Sequence, residues 1–182
     1  MPASAPEIRP LKRVEYEQLV AAGVFEHESV ELIDGMVMHM PPHGPEHDGT
    51  IDIVNRLLVR ALGERALVRV QSAFAATDES RPEPDIAVVP IADYRDAHPS
   101  TAFLIVEIAV SSTAYDRNKA STYARAGVPE YWIVDVPRGA VEVYRQPAPD
   151  GYEQRATHRR PEILRPASFP DVEVALDLVL RG

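Results

Sequence analysis

The chain has 182 residues, no cysteine and a formal net charge of −9. The missing cysteines exclude disulfide frameworks and thiolate metal sites. The acidic balance argues against coating nucleic acid through a basic surface, but not against meeting phosphates through bound divalent cations. Hydrophobic residues make up 45% and charged residues 26%, as in an ordinary globular domain. The N-terminus lacks a secretory h-region, and no run approaches the roughly 18–20 apolar residues of a membrane span, so a soluble, cytoplasmic protein is expected.

Residues 1–10, with three prolines, read as a flexible arm, and residues 11–182 as a single domain. Leu11, Val14, Leu19 and Ala22 have helical spacing, closed by Gly23. Asp34-Gly35 between VELI and MVMHM is a two-residue hairpin signal. In that register Glu31 and Ile33 share a face with Met36 and Met38. Glu31 is then a carboxylate in apolar company, unless it stands at a strand start with its head in water.

The PPHGPEH loop leads into a helix from about His47 to Leu62. Ile51, Val54 and Leu58 follow at helical intervals, which sets the His47 imidazole on the apolar face of the first turn. Histidines in such places serve packing or capping more often than chemistry. ALVRVQSAFAATD reads as one or two strands, DESRPEPD as a turn-rich segment, and DIAVV from Asp85 as a short strand between Pro84 and Pro90.

After a polar loop over residues 91–101 comes FLIVEIAV, Phe103 to Val110, apolar throughout except for Glu107. A run of this kind predicts a strand buried on both faces. An unpaired carboxylate there costs several kcal/mol or becomes protonated, so Glu107 calls for a cation, either a basic side chain or a metal. SSTAYDRNKASTYARAG predicts a helix with Ser111 or Ser112 as N-cap and Gly127 as its stop. EYWIVDV is a strand, VEVYRQ and GYEQRA form a hairpin around Ala148 to Gly151, and the tail from Pro161 gives short strands or turns. The order is that of a mixed α/β domain with a β-rich C-terminal end.

Asp85 at a strand start, Glu107 inside the next strand and Lys119 in the following helix form the chemical constellation. Two carboxylates from neighbouring strands make a hard oxygen site suited to Mg²⁺ or Mn²⁺. Lys119 shares a helical face with Asp116 and Tyr123, so its ammonium can polarise an attacking water or hold a phosphate beside a metal. Each residue also has a plainer reading. Asp85 is a turn residue, Lys119 pairs with Asp116 on a wet face, and Glu107 takes an arginine such as Arg81.

RPEPDIAVV followed by LIVEIAVSSTAYDRNKASTYARAGVPEYWIVDV resembles the PD-(D/E)XK nuclease superfamily and, more narrowly, the Uma-type family of bacterial restriction endonucleases. ELIDG and PPHGPEH are also similar to that family's pattern, and the likeness runs from about Tyr16 to Leu178. The resemblance implies a restriction-endonuclease-like core, a central mixed β-sheet flanked by helices, and metal-dependent hydrolysis of DNA phosphodiesters with Mg²⁺ or Mn²⁺. It makes Asp85 the motif's aspartate and Glu107 its acidic metal ligand. The lysine expected two residues after the glutamate is replaced by Ala109, and Lys119 stands at the Uma-type position instead. Glu31 matches the family's early glutamate, an added ligand or water-positioning group. His47 and Gln71 match polar positions lining the site, and Tyr123 orients Lys119 or touches a phosphate.

The implied reaction is attack on phosphorus by a metal-activated water, assisted by Lys119. DNA is expected to meet local patches, Arg56, Arg60, Arg65 and Arg69 or Arg155, Arg159 and Arg160, although such runs are usually solvated faces. The alternative is a nuclease-like scaffold acting through protein interaction or regulation. Ser111 or Ser112 as an acyl-transfer nucleophile with His47 is disfavoured, because no Gly-x-Ser-x-Gly elbow surrounds either serine. A homodimer is expected, since the apolar segment Val172 to Leu180 needs a cover.

Overall fold

Strands buried at every position need cover on both sides, and that requirement sets the architecture. The computed structural model describes residues 7–180. Helix α1 (Arg13–Ala21) is followed by the hairpin β1 (Val30–Ile33) and β2 (Met36–His39), then by α2 (Pro45–Leu62) and a single 3₁₀ turn over Gly63–Arg65. Next come β3 (Leu67–Val70), β4 (Ile86–Val89), β5 (Leu104–Ala109), α3 (Thr113–Arg125) and β6 (Glu130–Asp135). The chain closes with β7 (Ala140–Ala148), β8 (Gly151–His158), the short strands β9 (Ile163–Leu164) and β10 (Val174–Ala175), and α4 (Leu176–Val179). None of these helices is long and apolar enough to cross a membrane.

The main sheet runs β3-β4-β5-β6-β7-β8, and β5–β6 is its parallel pair. A parallel pair needs a crossover, and α3 supplies it. Side chains alternate between two cores. Ile86, Val88, Val106 and Ile108 meet Ile51, Val54 and Leu58 of α2 on one face. Ala87, Val89, Ile105 and Ala109 meet Ala120 and Tyr123 of α3 on the other. Glu107 has the parity of Ile105 and Ala109, so it falls under α3.

The hairpin has the expected register, with Glu31 opposite Met38 and Ile33 opposite Met36. Its turn residues have φ of 49° at Asp34 and 75° at Gly35, the left-handed pair that a tight hairpin needs. Gly35 is also required by close approach: a Cβ there would lie 2.3 Å from Pro10 Cβ. Pro10 thus lies against the hairpin, while residues 1–6 of the expected arm lie outside the described residues. Leu32 and Arg81 exchange backbone hydrogen bonds, which docks the hairpin beside the segment leading into β4.

Three local expectations are sharpened. ALVRVQSAFAATD gives one short strand, because Gln71 turns into the left-handed region at φ 42° directly after β3. Helix α2 starts earlier than His47, since Pro45 pre-sets φ for the first turn and Gly44 lies in front of it. Ser112 sits at the N-cap of α3, but its hydroxyl donates to Asp116 Oδ2 at 2.6 Å rather than accepting from the helix backbone. The tail differs in its partner. Val172, Val174, Leu176, Val179 and Leu180 are buried in the same core as α2, so this chain supplies the cover that suggested a second copy.

An ion cluster fastens α3 to the far strands. Glu142 accepts from Arg117 of α3, from Tyr144 at 2.7 Å, and pairs with Arg155 of β8 at 2.8 Å. Burial alone would raise this carboxyl, but those donors hold it down at about 2, against 4.5 unperturbed. A depressed folded-state pKa gives stability that is present above the unfolded value and lost as pH falls through the folded one. Glu142→Gln is therefore expected to cost about 2–3 kcal/mol at neutral pH, allowing for solvent screening at the partly exposed arginines. In denaturant titrations the gap from the unsubstituted protein should be full above pH 5 or so and close toward pH 2. A gap that does not change with pH would contradict this account of the cluster.

Candidate functional site

Glu107 is 4% exposed at the centre of β5, and Lys119, 2% exposed, comes down onto it from α3. Lys119 Nζ lies 2.6 Å from Glu107 Oε1 and 3.3 Å from Glu31. The cation called for by the buried glutamate is thus a lysine of the following helix. Arg81 is engaged elsewhere, 3.4 Å from Glu83 and 3.2 Å from His98. One helical turn on from Lys119, Tyr123 donates its hydroxyl to Glu107 Oε1 at 2.8 Å.

The remaining carboxylate oxygens are fixed with equal care. Glu107 Oε2 accepts the Asp85 amide at 3.1 Å, and Asp85 Oδ2 accepts the Ile108 amide at 2.8 Å. Adjacent antiparallel strands therefore lock the two carboxylates through each other's backbones. Glu31 Oε1 accepts from Tyr115 at 2.7 Å and Oε2 from the Glu83 amide at 3.0 Å. His47 points Nε2 at Asp85 Oδ2, 3.2 Å away, and Nδ1 at Asp48 Oδ1, also 3.2 Å away. His43 stacks on His47 with ring centroids 3.8 Å apart, and Gln71 Nε2 reaches His43 Nδ1 at 3.4 Å.

Glu31, His43, His47, Gln71, Asp85, Glu107 and Lys119 border one cavity of about 780 Å³, between the hairpin, the loop before α2, and the ends of β4 and β5. That size suits a small ligand or a nucleotide. Glu31, Glu83, Asp85, Glu107 and Asp116 line it against a single ammonium, Lys119. The imbalance sets the directions of the pKa shifts. Burial raises Glu107, with Asp85, Asp116 and Glu31 adding to the rise, while the Lys119 ammonium 2.6 Å away opposes it and favours the carboxylate. Burial likewise raises Asp116 to about 6, against the hydrogen bond from Ser112 and the charge of Lys119. Burial disfavours the charge on Lys119, but Glu107 and Glu31 outweigh it and raise its pKa, so the amine stays protonated. For His47, burial is outweighed by Asp85 and Asp48, and its pKa rises.

The donor set fits a divalent cation. The carboxylates outnumber the available positive charges, and Asp85 Oδ1 makes no hydrogen bond among the described residues. Asp85 and Glu107 offer oxygens, and His43, His47 and Asp85 place three donor atoms within 4.8 Å of one another. Carboxylate oxygens of this kind suit hard divalent ions.

Glu31, His47, Asp85, Glu107, Lys119 and Tyr123 thus come together, with Gln71 at the rim beyond His43. The arginine patches do not join them. Arg65 pairs with Asp171, Arg155 with Glu142 and Arg160 with Asp177, while Arg69 lies over Tyr94 and Arg159 binds the Arg138 carbonyl. Arg56 and Arg60 are exposed on α2 and line no part of the cavity. Ser111 and Ser112 border it, but Ser112 is hydrogen-bonded to Asp116 rather than to His47. Sequence reading passed over His43 and Tyr115. The HGPEH spacing and the place of Tyr115 four residues before Lys119 carried their signal.

The sequence pattern of the Uma2 family, described as "Putative restriction endonuclease", matches residues 13–178. The chain belongs to this family. A solved structure from Anabaena variabilis ATCC 29413, described as "a putative nuclease belonging to DUF820", shares the fold at a TM-score of 0.73. It is 17% identical and is aligned over 93% of this chain and 98% of its own. No curated protein matches. The mixed six-stranded sheet flanked by helices is therefore a nuclease-like fold.

Lys119→Met leaves Glu107 and Glu31 buried without their ammonium, which is expected to cost about 3–5 kcal/mol. Adding Glu107→Gln removes one of the stranded charges, so the double variant should be less destabilised than the two single losses summed. Chemical denaturation of all four proteins measures that coupling, and strict additivity would argue against the pair as described.

Proposed function

We propose that the protein is a metal-dependent endonuclease that hydrolyses DNA phosphodiester bonds. The observation that carries this reading is the placement of Lys119 Nζ, 2.6 Å from Glu107 and 3.3 Å from Glu31, on the wall of a cavity where Asp85 keeps an oxygen free. The family's description as restriction endonucleases supports DNA as the substrate class. Asp85 and Glu107 are the residues to hold Mg²⁺ or Mn²⁺. Such an ion supplies Lewis acidity at a phosphate oxygen and lowers the pKa of a bound water.

The chain's own residues divide the remaining work. Lys119, kept protonated by two glutamates, offers a positive charge to a non-bridging phosphate oxygen or to the attacking water. Tyr123 and the Asp85 amide fix the Glu107 carboxylate so that it does not swing toward its ammonium alone. Glu31 anchors Lys119 from the hairpin side and is itself held by Tyr115 and the Glu83 amide. The apolar side of the cavity, with Met38, Met40 and Pro41, limits water near the reacting phosphate.

One observation favours a second reading. Both oxygens of Glu107 already have protein partners, so the cluster is satisfied as a closed structural network. A scaffold with little catalysis, acting through protein contacts, uses the same residues only to hold its fold.

Cleavage assays on single-stranded, double-stranded and branched DNA with Mg²⁺ or Mn²⁺ separate the two. The nuclease reading expects cleavage that a chelator abolishes and that Glu107→Gln lowers by roughly 10²-fold or more, as for loss of one preorganised electrostatic group. Equal rates in the variant, or in excess chelator, would sink it. No cleavage of any substrate by a folded protein leaves the scaffold reading in place.

A further inference from the structure

His47 stands between two carboxylates. Its Nδ1 lies 3.2 Å from Asp48 Oδ1 and its Nε2 lies 3.2 Å from Asp85 Oδ2. A neutral imidazole has one N–H for two such contacts. In the tautomer whose Nδ1–H donates to the exposed Asp48, the Nε2 lone pair and the Asp85 oxygen converge on one point, where a metal ion satisfies both. The carboxylate–histidine arrangement, with the far nitrogen bonded to an acid, is the usual way a ligating imidazole is oriented.

The distances accommodate an ion. Two ligands about 2.1 Å from one cation, at angles of roughly 90–109°, stand about 3.0–3.4 Å apart. The separation of His47 Nε2 from Asp85 Oδ2 is 3.2 Å. His43 brings a third donor, all three lying within 4.8 Å of one another. Its exposed ring sits in the loop before α2, stacked on His47 at 3.8 Å between centroids, and joining the ion would take a rotation of its side chain. The Gln71 amide lies 3.4 Å from His43 Nδ1. Turned to present its oxygen, it accepts Nδ1–H and leaves the Nε2 lone pair for the ion, as Asp48 does for His47.

We propose that His43 and His47 join Asp85 as ligands of the divalent cation, with Asp48 and Gln71 orienting the two rings. The donor set is then mixed nitrogen and oxygen. Imidazole suits Co²⁺ and Ni²⁺, affinity rises from Mn²⁺ to Co²⁺, and Mg²⁺ keeps to oxygen ligands and water. The site therefore selects transition cations over Mg²⁺. The inference deepens the metal-dependent nuclease reading and rests on it only for the presence of a cation at Asp85.

The test is calorimetric titration of the full chain with Mg²⁺, Mn²⁺ and Co²⁺ in the absence of DNA, with the visible absorption of Co²⁺ as a direct report of its ligands. The expected result is Co²⁺ binding at least tenfold tighter than Mg²⁺. His43→Ala, in an exposed loop, should lose tenfold or more in Co²⁺ affinity, change the Co²⁺ spectrum, and leave Mg²⁺ affinity within twofold. Asp48→Asn, at an exposed helix position, should also weaken Co²⁺ binding, by about 10–100-fold. Equal affinities for Co²⁺ and Mg²⁺, or a Co²⁺ affinity untouched by His43→Ala, overturn the proposal. So does absence of Co²⁺ binding, the outcome if His47 is simply protonated against Asp85. None of these bears on the nuclease reading, which stands or falls separately on Mg²⁺- or Mn²⁺-supported cleavage and its loss in Glu107→Gln.

Discussion

The buried pair of Lys119 and Glu107 is the contact on which the arrangement depends. A carboxylate in the middle of a strand covered on both faces survives only with a compensating charge and satisfied lone pairs. The chain provides both at once: an ammonium at 2.6 Å, a tyrosine hydroxyl at 2.8 Å and a backbone amide at 3.1 Å. The fold makes this possible through its parallel pair. A parallel step from β5 to β6 forces a crossover, and α3 as that crossover must lie over β5. Position 109 shares a face with 107, so a lysine there would also reach the site. Ala109 is instead fully buried beneath α3, in the same core as Ala120 and Tyr123. A small residue at this point allows the helix to approach closely enough for Lys119 to descend. The helix-borne lysine and the alanine are thus two parts of one packing solution.

The hairpin depends on the same pair. Glu31 shares Lys119 with Glu107, and it belongs to a two-stranded sheet separate from the main one. Its attachments include the backbone exchange between Leu32 and Arg81, the ion pair between Asp34 and Arg125, and the contacts of Tyr115 and Lys119 with Glu31. Arg125, Tyr115 and Lys119 all belong to α3. The cavity exists because the hairpin is drawn toward the helix, and a buried charge shared between two glutamates is a strong reason for it to stay there.

Much of this was readable in the chain because it is local. The apolar run around Glu107, the Asp34-Gly35 turn and the helical face shared by Lys119 and Tyr123 follow from periods of two and 3.6 residues. The need for a cation at Glu107 was also readable. The resemblance pointed to Lys119 once position 109 was seen to be alanine, and Lys119 Nζ lies 2.6 Å from Glu107 Oε1. What could not be read depends on distance in sequence. Glu31 and Lys119 are 88 residues apart, and no periodicity relates them. Gln71 gave no sign of its left-handed backbone, which cuts β3 short and carries its amide to His43. The tail looked uncovered because its cover, α2, lies more than a hundred residues earlier in the chain. The arginine runs looked free for DNA because their acidic partners come from other segments, as Asp171 does for Arg65 and Glu142 for Arg155.

Those ion pairs bear on how an acidic protein meets a polyanion. With a net charge of −9 and several arginines already neutralised, the surface offers little of the counterion release that drives most nucleic-acid binding. The cavity is worse placed still, because its carboxylates outnumber its ammonium. A phosphodiester brought there meets net repulsion unless cations come with it. On the proposed nuclease reading a bound divalent ion would have two functions. It would activate the chemistry, and it would offset the negative field that opposes entry of a phosphodiester. Substrate binding would then be linked to metal binding, because Lys119 is a single positive charge among several carboxylates.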